Sequence, residues 1–318
     1  MIQQNKLNIP ILLLVFNRID TTKVVLDRIK DLKPTKLYIG SDAARENNDI
    51  EKIKVQELRD YILNFIDWEC EVKTLFQEKN LGCKYAVSGA IKWFFSQEEK
   101  GIVIEDDVVP SINFFYFCQE MLEKYKDNLN VGSISGRNDI GMLDNYEEKD
   151  YYFINKFICW GWASWSNRVL SNDVEYGNTS TVDKSIYDNI SSKENMIVQA
   201  SIGLIKSKQV NSWAYPFDLS FRLKNQLCLI PAKNMVRNIG LDVAGAHSNG
   251  GSSDVARYFD DFMPVFNKNK VVKSNDLFLN KFIHMRYKNI VYLYLFSKIE
   301  YLGWFRKIMK RVKYLWIK

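Results

Sequence analysis

The first 136 residues alternate short apolar runs with stretches of helical periodicity, and this alternation leaves few folds open. Ile9–Phe16, Leu37–Ser41, Glu71–Phe76 and Gly101–Glu105 have the length and apolar content of strands. Between them fall Thr21–Leu32, opened by a threonine pair, and a segment with apolar positions Ile50, Ile53, Leu58, Tyr61, Ile62 and Phe65. The third such segment is Lys84–Ser96. A β-α-β-α-β-α-β order predicts an α/β fold: a Rossmann-like, mostly parallel sheet with helices on both faces. Ligands of such sheets sit beyond the carboxyl ends of the strands. Arg18, Asp42 and Glu105–Asp107 all follow strand ends, so polar residues gather where this architecture places a ligand.

A helix bearing Phe114, Phe115, Phe117, Met121, Leu122 and Tyr125 is expected next, then Val131–Gly136 as a central strand. Past residue 150 the chain becomes less regular and more aromatic. Tyr151–Phe157 reads as a strand and residues 171–195 as a long, mobile polar loop. A helix near Phe217–Leu223 and a strand at Leu227–Ile230 precede the Gly/Ser-rich Gly245–Ser253. No internal repeat is present. The expected division is a domain over 1–270, in halves 1–136 and 137–270, followed by a basic helical tail over 271–318.

The apolar run Ile102-Val103-Ile104 ends in Glu105-Asp106-Asp107, which reads as a buried strand releasing an acidic end into a cleft. Three adjacent carboxylates repel one another, and a divalent cation with a hydroxyl-rich ligand offsets that cost. The plainer alternative is an exposed acidic turn after a core strand.

With 47% hydrophobic and 14% aromatic residues the chain can pack a large core, which excludes a disordered protein. Its net charge of +6 is uneven: from Lys281 onward ten basic residues face the single acid Glu300, giving this end +9 and residues 1–280 a charge of −3. A mildly acidic body argues against nucleic-acid binding and leaves the tail to meet an anionic surface. The cysteines (Cys70, Cys83, Cys118, Cys159, Cys228) are scattered without a CxxC pair, and there are two histidines. A disulfide framework and a Cys/His zinc site are therefore not expected, and reduced cytoplasmic thiols are. Ile9–Phe16 is too short for a membrane span and lacks a signal-type cleavage site.

An ordered set of features runs through Ile9-Pro10-Ile11, Asn17-Arg18, Ser41-Asp42, Glu105-Asp106-Asp107, Phe114-Phe115 and Ile134-Ser135-Gly136-Arg137-Asn138-Asp139. It continues through Gly161-Trp162, Asp218 with Arg222, Cys228-Leu229-Ile230-Pro231 and His247. Over about residues 8–265 this set resembles the family of the Golgi alpha-mannoside beta-1,2-N-acetylglucosaminyltransferase and its bacterial nucleotide-diphospho-sugar transferase relatives. The resemblance implies a GT-A fold, with nucleotide bound by the first half and acceptor by the second, and Mn²⁺ or Mg²⁺ as cofactor. It implies Asp107 as direct metal ligand, Arg18 at the nucleotide phosphate or ribose, and Asp42 at the uracil edge. Glu105 and Asp106 would hold the donor sugar and ribose, and Asp218 would be the catalytic base. Asn17 and Leu219 stand where the animal pattern has acids.

Each of these residues has a plainer role open to it. Arg18 can pair with Asp20 on the surface, and Asp42 can form a turn. Asp218 lies among Trp213, Tyr215, Pro216 and Phe217, where partial desolvation would raise its pKa towards base strength; it can instead cap a helix start. Asp260 and Asp261 are the reserve bases. Lys84 opens a helix whose N-terminus can face phosphates, or is simply solvated. His247, in Ala246-His247-Ser248-Asn249-Gly250-Gly251, can touch metal or phosphate, or sit in a flexible surface loop. His284 reads as structural. Trp160, Trp162 and Trp165 line an acceptor site or belong to the core.

In the tail, Ile299, Leu302, Phe305, Met309, Val312 and Trp316 recur at three- or four-residue steps among Arg306, Lys310, Arg311 and Lys313. This is a basic amphipathic helix suited to an anionic membrane surface, or one docked on the domain. The function expected is metal-dependent, inverting transfer of a sugar from a UDP-sugar, UDP-N-acetylglucosamine first, to a cell-surface glycan or lipid-linked acceptor. Its place would be peripheral, at the cytoplasmic face of a bacterial inner membrane. A sugar-1-phosphate nucleotidyltransferase shares sheet and carboxylates but expects a Gly-rich loop after the first strand, which Asn17-Arg18-Ile19-Asp20 is not. A catalytically inactive, membrane-bound glycan-binding subunit is the non-enzymatic alternative.

Overall fold

The computed structural model describes residues 7–141, 151–172, 191–207, 210–240, 258–265 and 271–286. Strands β1 (Ile11–Val15), β2 (Lys36–Ser41), β3 (Glu71–Phe76) and β4 (Lys100–Glu105) are parallel and lie in the order β3-β2-β1-β4. Helices α1 (Ile19–Leu32), α2 (Asp49–Phe65) and α3 (Gly82–Phe95) connect them. Side chains of β1 alternate between two cores, as the pleat requires. Ile11, Leu13 and Val15 pack with Val25 and Ile29 of α1 and Leu58 and Ile62 of α2, whereas Leu12 and Leu14 pack with Ile91, Phe94 and Phe95 of α3. A strand covered on both faces needs an unbroken apolar run, which Ile9–Phe16 supplies. The expected α/β class, with helices on both faces of a mostly parallel sheet, is the one observed.

Beyond β4 come β5 (Val108–Pro110), α4 (Ile112–Lys124), β6 (Val131–Ser135), β7 (Tyr151–Ile154), β8 (Trp162–Trp165) and α5 (Ser166–Val169). They are followed by α6 (Ser192–Lys206), α7 (Ala214–Leu223), β9 (Leu227–Pro231), β10 (Val236–Asn238) and α8 (Asp276–Arg286). The sheet continues as β4-β8-β6-β9-β7, with β8 antiparallel between β4 and β6 and β7 antiparallel at the edge. The tryptophan-rich segment thus supplies an internal strand. Trp162 and Trp165 belong to the core, 1% and 4% exposed, which leaves Trp160 alone of the three half-buried.

Three segments differ from expectation. Part of the anticipated polar loop is the helix α6, opened by a capping box between Ser191 and Glu194. The buried face of α2 is Glu51, Val55, Leu58 and Ile62, while Ile50 and Ile53 are 72% and 59% exposed. The start of the expected tail, α8, is docked: Phe278 and Phe282 are buried in the main core, and Asn275 N–H donates to Phe153 O at 2.7 Å. The amphipathic run from Ile299 and the Gly/Ser stretch with His247 lie outside the described residues. Among the described residues no helix is long and apolar enough to cross a membrane.

Candidate active site

At the end of β1, Phe16-Asn17-Arg18 turns directly into α1, with Arg18 as its cap residue. The adjacent β4 ends at Glu105, and Asp106-Asp107 makes the tight turn into β5. The Arg18 guanidinium bridges the aspartates. Nη2 pairs with Asp106, Nη1 donates to Asp107 Oδ2 at 2.9 Å, and Nε reaches Asp106 Oδ2 at 3.4 Å. The surface pairing with Asp20 is therefore not the one formed, and the acids are not an exposed turn. The side chains of Asp106 and Asp107 are 5% and 13% exposed. Burial, with Asp107 and Asp106 beside it, pushes Glu105 up to about 8. Burial also lifts Asp106 to about 6 in spite of Arg18. Glu105 Oε1 is buried without a hydrogen-bond partner.

A second cation besides Arg18 acts on Glu105. Arg137, just past β6, is buried, donates from Nε to Asp139 Oδ1 at 2.7 Å, and lies 3.5 Å from the centroid of the Trp160 ring. Its charge pulls against the upward push on Glu105. Trp160 and Gly161 have left-handed backbones, with φ of 76° and 67°. That conformation is costly for tryptophan. It is held where Gly136 N–H donates to Gly161 O at 2.9 Å. The Cys159 thiol is pushed up to about 12 by burial and by Glu105, so this connection lies against the acid cluster.

Asp218 is not what its sequence context indicated. It sits in the middle of α7, whose cap residue is Trp213, so the helix-cap reading fails. Its carboxylate accepts from Lys156 Nζ at 2.5 Å, the Phe157 N–H at 2.8 Å and Arg222 Nε at 3.1 Å. Burial pushes its pKa up, but Arg222, Lys156 and the Phe157 N–H outweigh it and hold the group below its ordinary value. The expected upward shift is reversed. A carboxylate engaged by two cations is a poor proton acceptor.

Both oxygens of Asp42 are taken by protein donors. Oδ1 accepts from the Ala43 and Leu81 N–H groups, each at 2.9 Å, and Oδ2 from Gly82 N–H at 2.9 Å and Asn80 Nδ2 at 3.1 Å. The end of α3 expected to face phosphates is thus occupied by a carboxylate of the protein itself. Lys84 Nζ lies 5.1 Å from the Tyr85 ring centroid. Asp260 pairs with Arg28 at 3.2 Å and accepts from Tyr258 OH at 2.6 Å, and Asp261 is exposed, as is His284.

Three contributors carried no clear sequence signal. Glu51 accepts from Asn17 Nδ2 at 2.9 Å and from Arg45, which fixes the residue beside Arg18. Lys156 had no local pattern to mark it. Gly240 arrives over the site because β10 pairs antiparallel with β5 and Ile239 N–H donates to Asp107 O at 2.8 Å. A Cβ on Gly240 would stand 2.2 Å from Asp107 Oδ2 and 2.9 Å from Arg18 Nη1.

These residues fit a divalent cation only with a ligand's help. Among the described residues no three acid, His or Cys side chains are grouped as a metal site. The hard oxygens of Asp106 and Asp107, the orphaned Glu105 Oε1 and the side-chain-free cradle at Gly240 suit an ion of the Mg²⁺ or Mn²⁺ kind. Such an ion takes one or two carboxylates and fills its shell from a bound diphosphate.

Fold and site together define an α/β protein whose mostly parallel sheet ends in three adjacent, largely buried acids that feel the charges of Arg18 and Arg137. No family model matches the chain, and no curated protein matches it. Solved structures are similar to it at low identity. HddC from Yersinia pseudotuberculosis has a TM-score of 0.34 at 10% identity, covering 51% of this chain and 79% of that one. The mannosyltransferase PcManGT from Pyrobaculum calidifontis, in complex with GDP-Man and Mn²⁺, has a TM-score of 0.38 at 13% identity, covering 69% of each chain. A UDP-glucose pyrophosphorylase complexed with UDP-glucose has a TM-score of 0.36 at 10% identity, covering 70% of this chain and 90% of that one. Likeness at this level decides neither reaction nor ligand.

Proposed function

We propose that the protein is a glycosyltransferase of the GT-A type, which binds a nucleotide-sugar donor at the acid cluster and transfers its sugar to an acceptor. The observation that carries this reading is the bridge from Arg18 to Asp106 and Asp107 at the carboxyl edge of the parallel strands. A guanidinium beside carboxylates offers a diphosphate a cation and offers ribose and sugar hydroxyls acceptors in one cleft. A divalent cation held by Asp107, with Asp106 beside it, would neutralise charge developing on the leaving diphosphate. Arg18 orients the phosphates, and the half-buried Glu105, whose Oε1 has no protein partner, meets a donor hydroxyl. Trp160, one ring face stacked on Arg137, offers the other to a sugar. Asp218 keeps its place near the acceptor half as a positioning group, fixing Lys156 and the start of the connection that carries Trp160.

Melting temperatures measured with a panel of nucleotide sugars, with and without Mn²⁺, test the reading, since a specific donor stabilises by mass action. Incubation of the best donor with acceptors should release nucleoside diphosphate. Formation of pyrophosphate from a nucleoside triphosphate and a sugar 1-phosphate would instead identify a nucleotidyltransferase. Donor binding with no turnover on any acceptor would identify a binding subunit.

A further inference from the structure

We propose that Arg18 is the protein's own counter-cation at the Asp106–Asp107 pair, and that it must give up Asp107 before a divalent cation can bind there. Cation binding is then coupled to the arrival of a nucleoside diphosphate. The inference deepens the functional reading above and rests on it.

Every guanidinium nitrogen of Arg18 is directed at these two carboxylates. The two halves of the bridge are unequal. Asp106 is 5% exposed and also accepts from Phe16 N–H at 3.4 Å, so its geometry is fixed. Asp107 is the more open acid, and Arg18, 45% exposed on a flexible stem, is the cation able to turn away. A dication on Asp107 would share that carboxylate with a guanidinium nitrogen now 2.9 Å from its oxygen. Like charges at that range repel, so one must yield. A diphosphate resolves the conflict because it receives Arg18 by charge-assisted hydrogen bonds and completes the shell of the cation. The protein alone gives the ion few ligands among the described residues. Gly240 keeps the bridge intact, since a side chain there would strike Asp107 Oδ2 and Arg18 Nη1.

Mn²⁺ binding to the full chain, followed by electron paramagnetic resonance with and without UDP, tests this without any turnover. Wild type should bind Mn²⁺ weakly alone and at least about tenfold more tightly with saturating UDP, the signature of coupling between two ligands. Arg18→Gln should bind Mn²⁺ alone about tenfold more tightly than wild type, because the competing charge is gone, and should gain less from UDP. Arg18→Lys, which keeps the charge but not the two-pronged geometry, should fall between them, and it decides the matter if the Gln variant fails to fold. Equal or weaker Mn²⁺ binding by the variants than by wild type overturns the competition while leaving the enzyme reading intact. Absence of Mn²⁺ binding in wild type and variants alike, with UDP present, overturns both.

Discussion

Asp107 and Asp218 were two acids of similar standing in the sequence, and the structure separates them by their partners. Asp107 shares one guanidinium and keeps some exposure, so Asp107→Asn should fold normally yet lower transfer at least ~100-fold, about 2.7 kcal/mol of transition-state stabilisation. Steady-state rates with Mn²⁺ and after EDTA check this, and an active variant would sink the metal role. Asp218 is buried between Lys156 and Arg222, so Asp218→Asn strands two cations and should cost about 3–5 kcal/mol of stability in urea unfolding. Its folded pKa lies below its unfolded one. The stabilisation is therefore complete above the unfolded value of about 3.9 and is lost as pH falls through the folded value. Wild type should lose stability on acidification below pH ~4, and the variant should lack that component. Normal stability with turnover alone abolished would return the base role to Asp218. Asp218 and Arg222, one helical turn on, were both legible in sequence, but Lys156 was not, because it lies 62 residues away.

The helices show how far periodicity reaches. Strands β1, β2 and β4 and helices α1, α3 and α4 follow their apolar patterns closely, because each packs mainly through aliphatic and aromatic side chains, with Thr21, Thr22 and Ser88 as small polar exceptions. In α2 the inward face instead includes Glu51, whose charge is satisfied by Asn17 and Arg45 from outside the helix. No pattern within the segment could show that. Leu58→Ala should therefore cost ~2–5 kcal/mol, whereas Ile53→Ser should stay within about 0.5 kcal/mol, both read from urea midpoints. Asp42 ties the end of β2 to the start of α3, so Asp42→Ala removes acceptors from the Leu81 and Gly82 N–H groups. A loss of about 1–2 kcal/mol is expected, together with faster hydrogen exchange in the first turn of α3. Unchanged exchange with weaker nucleotide binding would favour the uracil-edge role instead.

For the whole molecule, charge divides the chain more sharply than packing does. The helix α8 is part of the body, so a membrane contact falls to the basic run beyond it. Deleting residues 299–318 should release the protein from anionic vesicles at low salt, each basic residue near the surface contributing about 1 kcal/mol, while donor hydrolysis persists. Vesicle sedimentation checks it, and full-length protein left in the supernatant at low salt would end the anchor reading. The α/β class, the parallel pairing of the first four strands and the acids at their ends followed from sequence, because apolar run length and helical period are local properties set by backbone geometry. Tertiary structure decided the rest: that β8 inserts between β4 and β6, that Arg18 bridges Asp106 and Asp107, that Asp218 is held by Lys156 and Arg222, and that Gly240 returns over the site. Those outcomes depend on which distant charges and hydrogen-bonding groups the fold brings within a few ångströms. Electrostatic energy falls with distance in space, and sequence separation does not report that distance.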